Sequence, residues 1–246
     1  MSNELMVLSE MFTGGNNLPS LQSAEDLRQL DGLSQITTFI PRIQLFTKGK
    51  AVDKSLIAIG HYGIPKGGDQ IVDLGKSIDV LPFWRKAKAM DMSDTDNLIV
   101  VHDAQSDEFK RIVKAADSQQ DSGCAYGPTY LVWERSTGAF YEFFCGTKSA
   151  RYEAPNINKY LPVTQAMIDA GLTDESEPRG ARPLTLGAQY LEKGRFSWYA
   201  PKAEDCLTPF DKLPTKEQFA AETERFFKPD ETGAKVVTEK QSSRKR

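Results

Sequence analysis

The sequence predicts an α+β fold that is mainly β: a small antiparallel barrel with helical insertions, set between an N-terminal arm and a disordered basic C-terminal tail. Three observations predict it. From Ile36 onward, short runs of β-branched and aromatic residues recur between Gly, Pro, Asn and Asp punctuation. Helical periodicity enters singly between these runs, not in the regular strand–helix alternation of a parallel α/β sheet. Beyond Pro229 the apolar content falls away.

The elements follow in order. Residues 1–35 form a peripheral arm, with a flexible turn at Thr13-Gly-Gly-Asn-Asn17 and a capping box at Ser23-Ala-Glu-Asp26 that opens a short helix. Thr37 to Phe46 is a strand that Pro41 confines to an edge or a strand start. Ser55 to Tyr62 alternates apolar residues, and Pro65-Lys-Gly-Gly68 reads as a turn. Gln70 to Leu74, Ser77 to Phe83 and Leu98 to His102 are further strands. Asp91 to Asp96 is a polar loop; it lacks the glycine and distal glutamate of a calcium-binding loop.

Phe109, Ile112, Val113 and Ala116 recur at helical spacing, with Ser106 placed to cap. Thr129 to Glu134 and Ala139 to Cys145 flank a hairpin loop, Arg135-Ser-Thr-Gly138. A helix over Val163–Ala170 stops at Gly171, and a polar connection runs from Thr173 to Arg182. Leu184–Glu192 and Arg195–Tyr199 form a second hairpin around Lys193-Gly194. Thr215 and Gln218 box the start of a last helix that ends at Phe227. The domains expected are the arm at 1–35, one domain at 36–228 resembling the five-stranded barrel of oligonucleotide binders (OB-like), and a disordered tail at 229–246.

Composition narrows the function. In 246 residues, 39% are hydrophobic and 26% charged, enough for a sizeable core. No stretch is long and apolar enough to span a membrane, and no secretion signal opens the chain, so a cytoplasmic protein is expected. Three scattered cysteines, Cys124, Cys145 and Cys206, suit a reducing compartment. With no closely paired Cys or His, no metal and no cofactor are expected. The net charge of −3 conceals a pattern: residues 36–160 carry sixteen bases against fifteen acids, and residues 235–246 five bases against one acid. A basic groove on the middle segment is therefore allowed.

Catalytic signatures are missing. Gly146-Thr-Lys-Ser149 has neither the spacing nor the first glycine of a phosphate-binding loop, and Pro155 is expected to stop any helix after it. The histidines, His61 and His102, have no evident dyad partner, because His102 and Asp103 point to opposite faces of a strand. No enzyme is expected and no catalytic residue is assigned.

What recurs is aromatics paired with cations: Phe83-Trp-Arg-Lys-Ala-Lys88, Phe144 to Tyr152, and Lys193-Gly-Arg-Phe-Ser-Trp-Tyr199. Single-stranded nucleic acid is held by bases stacked on aromatic faces and by cations along the phosphates. The expected stacking residues are Trp84, Tyr141, Tyr152 and Trp198. The expected phosphate contacts are Arg85, Lys86, Lys88, Lys148, Arg151 and Arg195. The bland alternative is that aromatics in strands are core. By alternation, Phe140, Glu142 and Phe144 share one face and Tyr141, Phe143 and Cys145 the other, so one set can be core and the other exposed.

The blocks Phe39-Ile-Pro-Arg-Ile-Gln-Leu45, Asp73 to Ser77 with Val80 to Ala89, Phe140 to Arg151, and Tyr190 to Pro201 resemble blocks of phage-encoded single-stranded DNA-binding proteins. The resemblance covers roughly residues 36–205. It implies an oligonucleotide-binding barrel that coats single strands in phage DNA replication and recombination, in the host cytoplasm. Such proteins often recruit partners through an acidic tail, whereas this chain ends in Arg244, Lys245 and Arg246. That tail is expected to dock on a replication or transcription protein. The competing class is a phage structural or protein-interaction protein that binds no nucleic acid.

Overall fold

The run Ser77–Asp91 mixes β-branched, aromatic and aliphatic residues with no glycine to break it, and it becomes one long strand, β4 (Ser77–Asp91). Around it the computed structural model describes residues 40–67, 69–94, 98–118 and 122–227. The other strands are β1 (Arg42–Phe46), β2 (His61–Gly67), β3 (Gln70–Gly75), β5 (Ile99–Val101), β6 (Cys124–Glu134), β7 (Ala139–Phe144), β8 (Leu184–Lys193) and β9 (Phe196–Asp205). The helices are α1 (Lys50–Asp53), α2 (Asp107–Ser118), α3 (Lys148–Asn158), α4 (Gln165–Asp169) and α5 (Lys216–Phe227). The strands form one sheet in the order β3-β2-β1-β7-β6-β4-β8-β9, with β5 paired to β4.

The fold is mainly β, and the sheet is strongly curled into a half-barrel. The described pairings are antiparallel except β1 with β7, which run parallel through Arg42↔Glu142 and Ile43↔Phe143. The expected all-antiparallel barrel is corrected in that respect. The arm at 1–35 and the tail at 229–246, including Arg244, Lys245 and Arg246, lie outside the described residues, as does the helix expected after Ser23. No helix among the described residues is long and apolar enough to cross a membrane.

Each face of the sheet has its own core. On the first, Tyr62, Val80, Tyr130, Tyr141, Phe143 and Leu184 surround the α3 stripe Ala150, Ala154 and Ile157. Farther along the same face, Ala89 packs with Phe109 and Ile112 of α2. On the second face, Leu81, Phe83, Leu131, Trp133 and Phe140 lie under Phe226 and Phe219 of α5. The alternation read from Phe140–Cys145 holds, but both of its faces are covered, so neither is an open platform.

The sequence misreads three segments. Ser55–Tyr62 is not a strand: α1 precedes it, Ser55 adopts φ 56° and Gly60 φ 78°, and β2 starts only at His61. Gly60 N–H donates to the Phe46 carbonyl at 2.8 Å and closes that loop. Pro65 does not turn the chain. It sits in β2 beyond the residues that pair with β1, where its missing N–H breaks no ladder bond to that strand. Pro155 does not stop α3, which runs to Asn158. The Thr147 hydroxyl accepts from Ala150 N–H at 3.2 Å to cap it, and the buried stripe holds the helix through the proline. Other elements are right in kind but differ in extent: the strand expected to end at Phe83 runs to Asp91, the one expected from Thr129 starts at Cys124, the last strand reaches Asp205, and the helix over Val163–Ala170 is confined to Gln165–Asp169. The Thr215–Gln218 box closes in both directions, at 2.9 and 3.2 Å.

Where β6 meets the end of β7, Gly127 takes φ 156°, and a Cβ there would lie 2.1 Å from the Cys145 carbonyl oxygen. The overlap is with backbone, which cannot step aside. Gly127→Ala should lower unfolding stability by about 2–3 kcal/mol or more, measured by urea denaturation.

The α2 corner carries a titratable contact. Asp91 accepts from Ser93 Oγ at 2.6 Å and from Arg111 at 2.7 Å. The Ser93 hydroxyl, then the Arg111 guanidinium, hold its carboxyl down at about 2, against the opposing effect of burial. Because the folded value is depressed, the stabilisation is present above the unfolded value of about 3.9. It is lost as pH falls towards about 2. Asp91→Asn should flatten the acid limb of stability between about pH 4 and pH 2 and leave the neutral-pH slope unchanged, as read from thermal melts across pH.

Candidate nucleic-acid interface

The three aromatic–cation clusters meet different fates. In the first, β4 carries a register shift between Pro82 and Trp84: Pro82 pairs with Val132, but Trp84 pairs with Leu131. Phe83 is the extra residue. The shift turns Trp84, Lys86 and Lys88 to the second face, the first two of them beneath α5. Trp84 stacks on Phe219 (centroids 6.2 Å, 23° between planes), meets Phe227 edge-on, and donates its indole N–H to Thr223 Oγ1 at 2.9 Å. Its rings are already occupied by the protein.

Lys86 lies 4.5 Å over the Phe226 ring and donates to the Phe226 carbonyl. That carbonyl belongs to the last turn of α5, where a cation is favoured by the helix dipole. Lys88 is fully buried and pairs with Glu142 at 2.9 Å. Lys86 at 3.9 Å and Arg42 at 3.7 Å complete a cluster around the same carboxylate. A lysine buried to this degree requires such a partner, since an unpaired buried charge costs several kcal/mol. Trp84, Lys86 and Lys88 are therefore structural. Arg85 points to the opposite face and is exposed, in register with Tyr130.

The second cluster divides. Tyr141 is 4% exposed in the core of the first face and presents no face to a base. Arg151 is only partly buried, but it too is engaged within the fold. Its guanidinium stacks 3.8 Å over Tyr126, donates to the carbonyls of Tyr126 and Gly146 at 3.1 and 3.0 Å, and pairs with Asp117 at 3.2 Å. It ties α3 to β6 and α2. Tyr152, by contrast, is 73% exposed on the outer side of α3, and Lys148, one turn earlier, is exposed beside it.

The third cluster lies on the β8–β9 hairpin, which the structure brings against α3. Trp198, partly buried, donates its indole N–H to Ser149 Oγ at 2.9 Å. Ala203 N–H donates to Glu153 of α3 at 2.8 Å, so the helix runs along the β9 edge and satisfies part of it. Lys193 pairs with Phe196 and Leu191 with Trp198, which puts these four side chains on one side of the hairpin. Arg195 is exposed in the turn.

Of the ten expected contacts, Lys148 and Tyr152 are exposed on α3, Arg195 is exposed at the tip of the hairpin whose Trp198 bonds to that helix, Arg85 is exposed on β4, and Trp84, Lys86, Lys88, Tyr141 and Arg151 are engaged within the fold. Lys193, part of the third cluster but not among the expected phosphate contacts, is exposed one residue before the Gly194 turn and so is a tip residue as well. The histidines are occupied: His61 Nδ1 lies 2.9 Å from Asp73, and His102 Nδ1 lies 2.8 Å from the Ala87 carbonyl. Against the upward push of desolvation, the Gly75 N–H and then the His61 imidazole hold the Asp73 carboxyl below its usual range. Burial pushes the Cys145 thiol and the Tyr62 and Tyr130 phenols upward, which keeps them protonated and neutral in the core.

Comparison of the chain with family models, with curated proteins and with solved structures returns no match.

The division between structural and surface aromatics has a direct readout. Trp84→Ala should cost about 3–5 kcal/mol of stability, as for a packed aromatic. Tyr152→Ala should change stability by no more than about 0.5 kcal/mol. Paired urea titrations of the two variants check both.

Proposed function

We propose that the chain binds single-stranded DNA without sequence preference, serving phage DNA replication or recombination, and performs no catalysis. One observation carries this. The hydrogen bond between Trp198 and Ser149 fixes an exposed tyrosine and lysine of α3, Tyr152 and Lys148, beside a hairpin that carries Lys193 and Arg195. Bases stack on Tyr152 and on the accessible part of Trp198, while the three cations follow the phosphates. Stacking and phosphate contact together hold any sequence, because every base has a π-face. On this proposal the curled sheet with α3 against its β9 edge is an oligonucleotide-binding barrel, enlarged by β3, β5 and the second hairpin. The exposed Arg85 lies on the same face of the sheet as α3 and extends the positive path.

The test is fluorescence anisotropy of a labelled oligo-dT across a salt series, with duplex DNA as competitor. Three phosphate contacts predict a log–log salt slope of about −2. Lys148→Ala should reduce that slope by about 0.7. Tyr152→Ala should weaken binding about 5- to 150-fold, the value of one stacked base, without unfolding the chain. Failure to bind at low salt would refute the proposal and favour a surface for protein partners.

A further inference from the structure

We infer that the tip of the β8–β9 hairpin is a wedge that opens duplex DNA where it joins a single strand; the inference rests on the single-strand surface proposed above. The hairpin pairs without interruption from Leu184↔Asp205 out to Lys193↔Phe196. Its base is buried at Leu184, Leu186 and Ala200, but from Glu192 to Ser197 every residue is exposed. The tip therefore projects beyond the body of the sheet.

It projects from a fixed base. On one side Trp198 is bonded to Ser149 and Ala203 to Glu153, both of α3. On the other, the Tyr199 ring presses on Gly60 so closely that a Cβ there would lie 2.7 Å from it. Tyr190 packs on Tyr199 at 5.3 Å. A ribbon clamped on both sides transmits force at its tip instead of folding away.

The tip has the chemistry of a wedge. Gly194, at φ 61°, permits a two-residue turn that leaves Phe196 as the first residue of β9. Phe196 is 61% exposed, an apolar ring held in water. Arg195 lies 5.3 Å over that ring, and Lys193 is its cross-strand partner. An apolar side chain flanked by cations is how proteins part a base step: the ring replaces a stacking neighbour and the cations hold the phosphates on either side. Glu192, the carboxylate of the tip, is paired with Ser197 and so lies on the opposite side of the ribbon from Phe196. Its charge turns that side away from phosphate. Phe196 and Trp198 share a side, so a strand parted at the ring is led towards Trp198 and Tyr152.

The test uses the full chain and a forked duplex with 2-aminopurine in the last base pair before the fork. At saturating wild-type protein the fluorescence should rise, as it does when the base unstacks. Phe196→Ala, brought to the same occupancy of the fork, should lose most of that rise while its affinity for oligo-dT changes by less than about threefold. Phe196→Leu, which keeps an apolar wedge without an aromatic face, should retain the rise. If wild type binds oligo-dT but leaves the junction stacked, or if Phe196→Ala opens it equally at equal occupancy, the wedge is overturned. If wild type binds no oligo-dT, the single-strand surface fails first, and the wedge with it.

Discussion

The register shift in β4 sets the layout of the molecule. One extra residue, Phe83, between Pro82 and Trp84 reverses which face every later side chain of the strand meets. Without it Trp84, Lys86 and Lys88 would point towards α3 and the first core. With it Trp84 and Lys86 form the ground on which α5 rests, Lys88 meets Glu142, and the opposite positions, Ala87 and Ala89, are small enough for α2 to pack close. A single strand thereby serves three environments: a hydrophobic core near Val80, a helix-covered aromatic cluster near Trp84, and a helix-packed end near Ala89.

The second consequence is a buried charge that must be matched. Lys88 is pointed inward by the same shift, and Glu142 reaches it from β7 across β6. A buried pair is weak evidence for net stability, because desolvation offsets most of its attraction. It does penalise alternatives: sliding β7 by one residue against β6 would carry Glu142 to the other face and leave Lys88 uncompensated. The charge cluster thus pins the register that keeps Tyr141 and Phe143 in the core.

These constraints leave the α3–hairpin region with aromatics and cations that face water. The region is built on rigid pieces. Arg151 locks the first turns of α3 to β6 and α2, Thr147 caps the helix, and Trp198 and Tyr199 clamp the hairpin. A backbone held in this way need not be ordered again when something docks on it, which is the preorganisation the proposed binding would draw on.

The sequence by itself determined the local structure: the mainly β character, the Ser106 and Thr215 caps, both hairpins, and the alternation through Phe140–Cys145. Those follow from propensity, periodicity and turn chemistry, which act over a few neighbouring residues. Only the tertiary structure decided which aromatic–cation pairs are surface and which are core. Trp84 with Lys86 and Trp198 with Arg195 look alike as strings, since each is an aromatic beside a cation on a strand. Their difference comes from a one-residue bulge and from a helix more than a hundred residues away in the chain, which supplies Thr223 and the Phe226 carbonyl to the first pair. The helix through Pro155 escaped the sequence for the same reason. Its intrinsic propensity is poor, and what holds it is the buried stripe of Ala150, Ala154 and Ile157, an interaction that exists only once the sheet has curled around it.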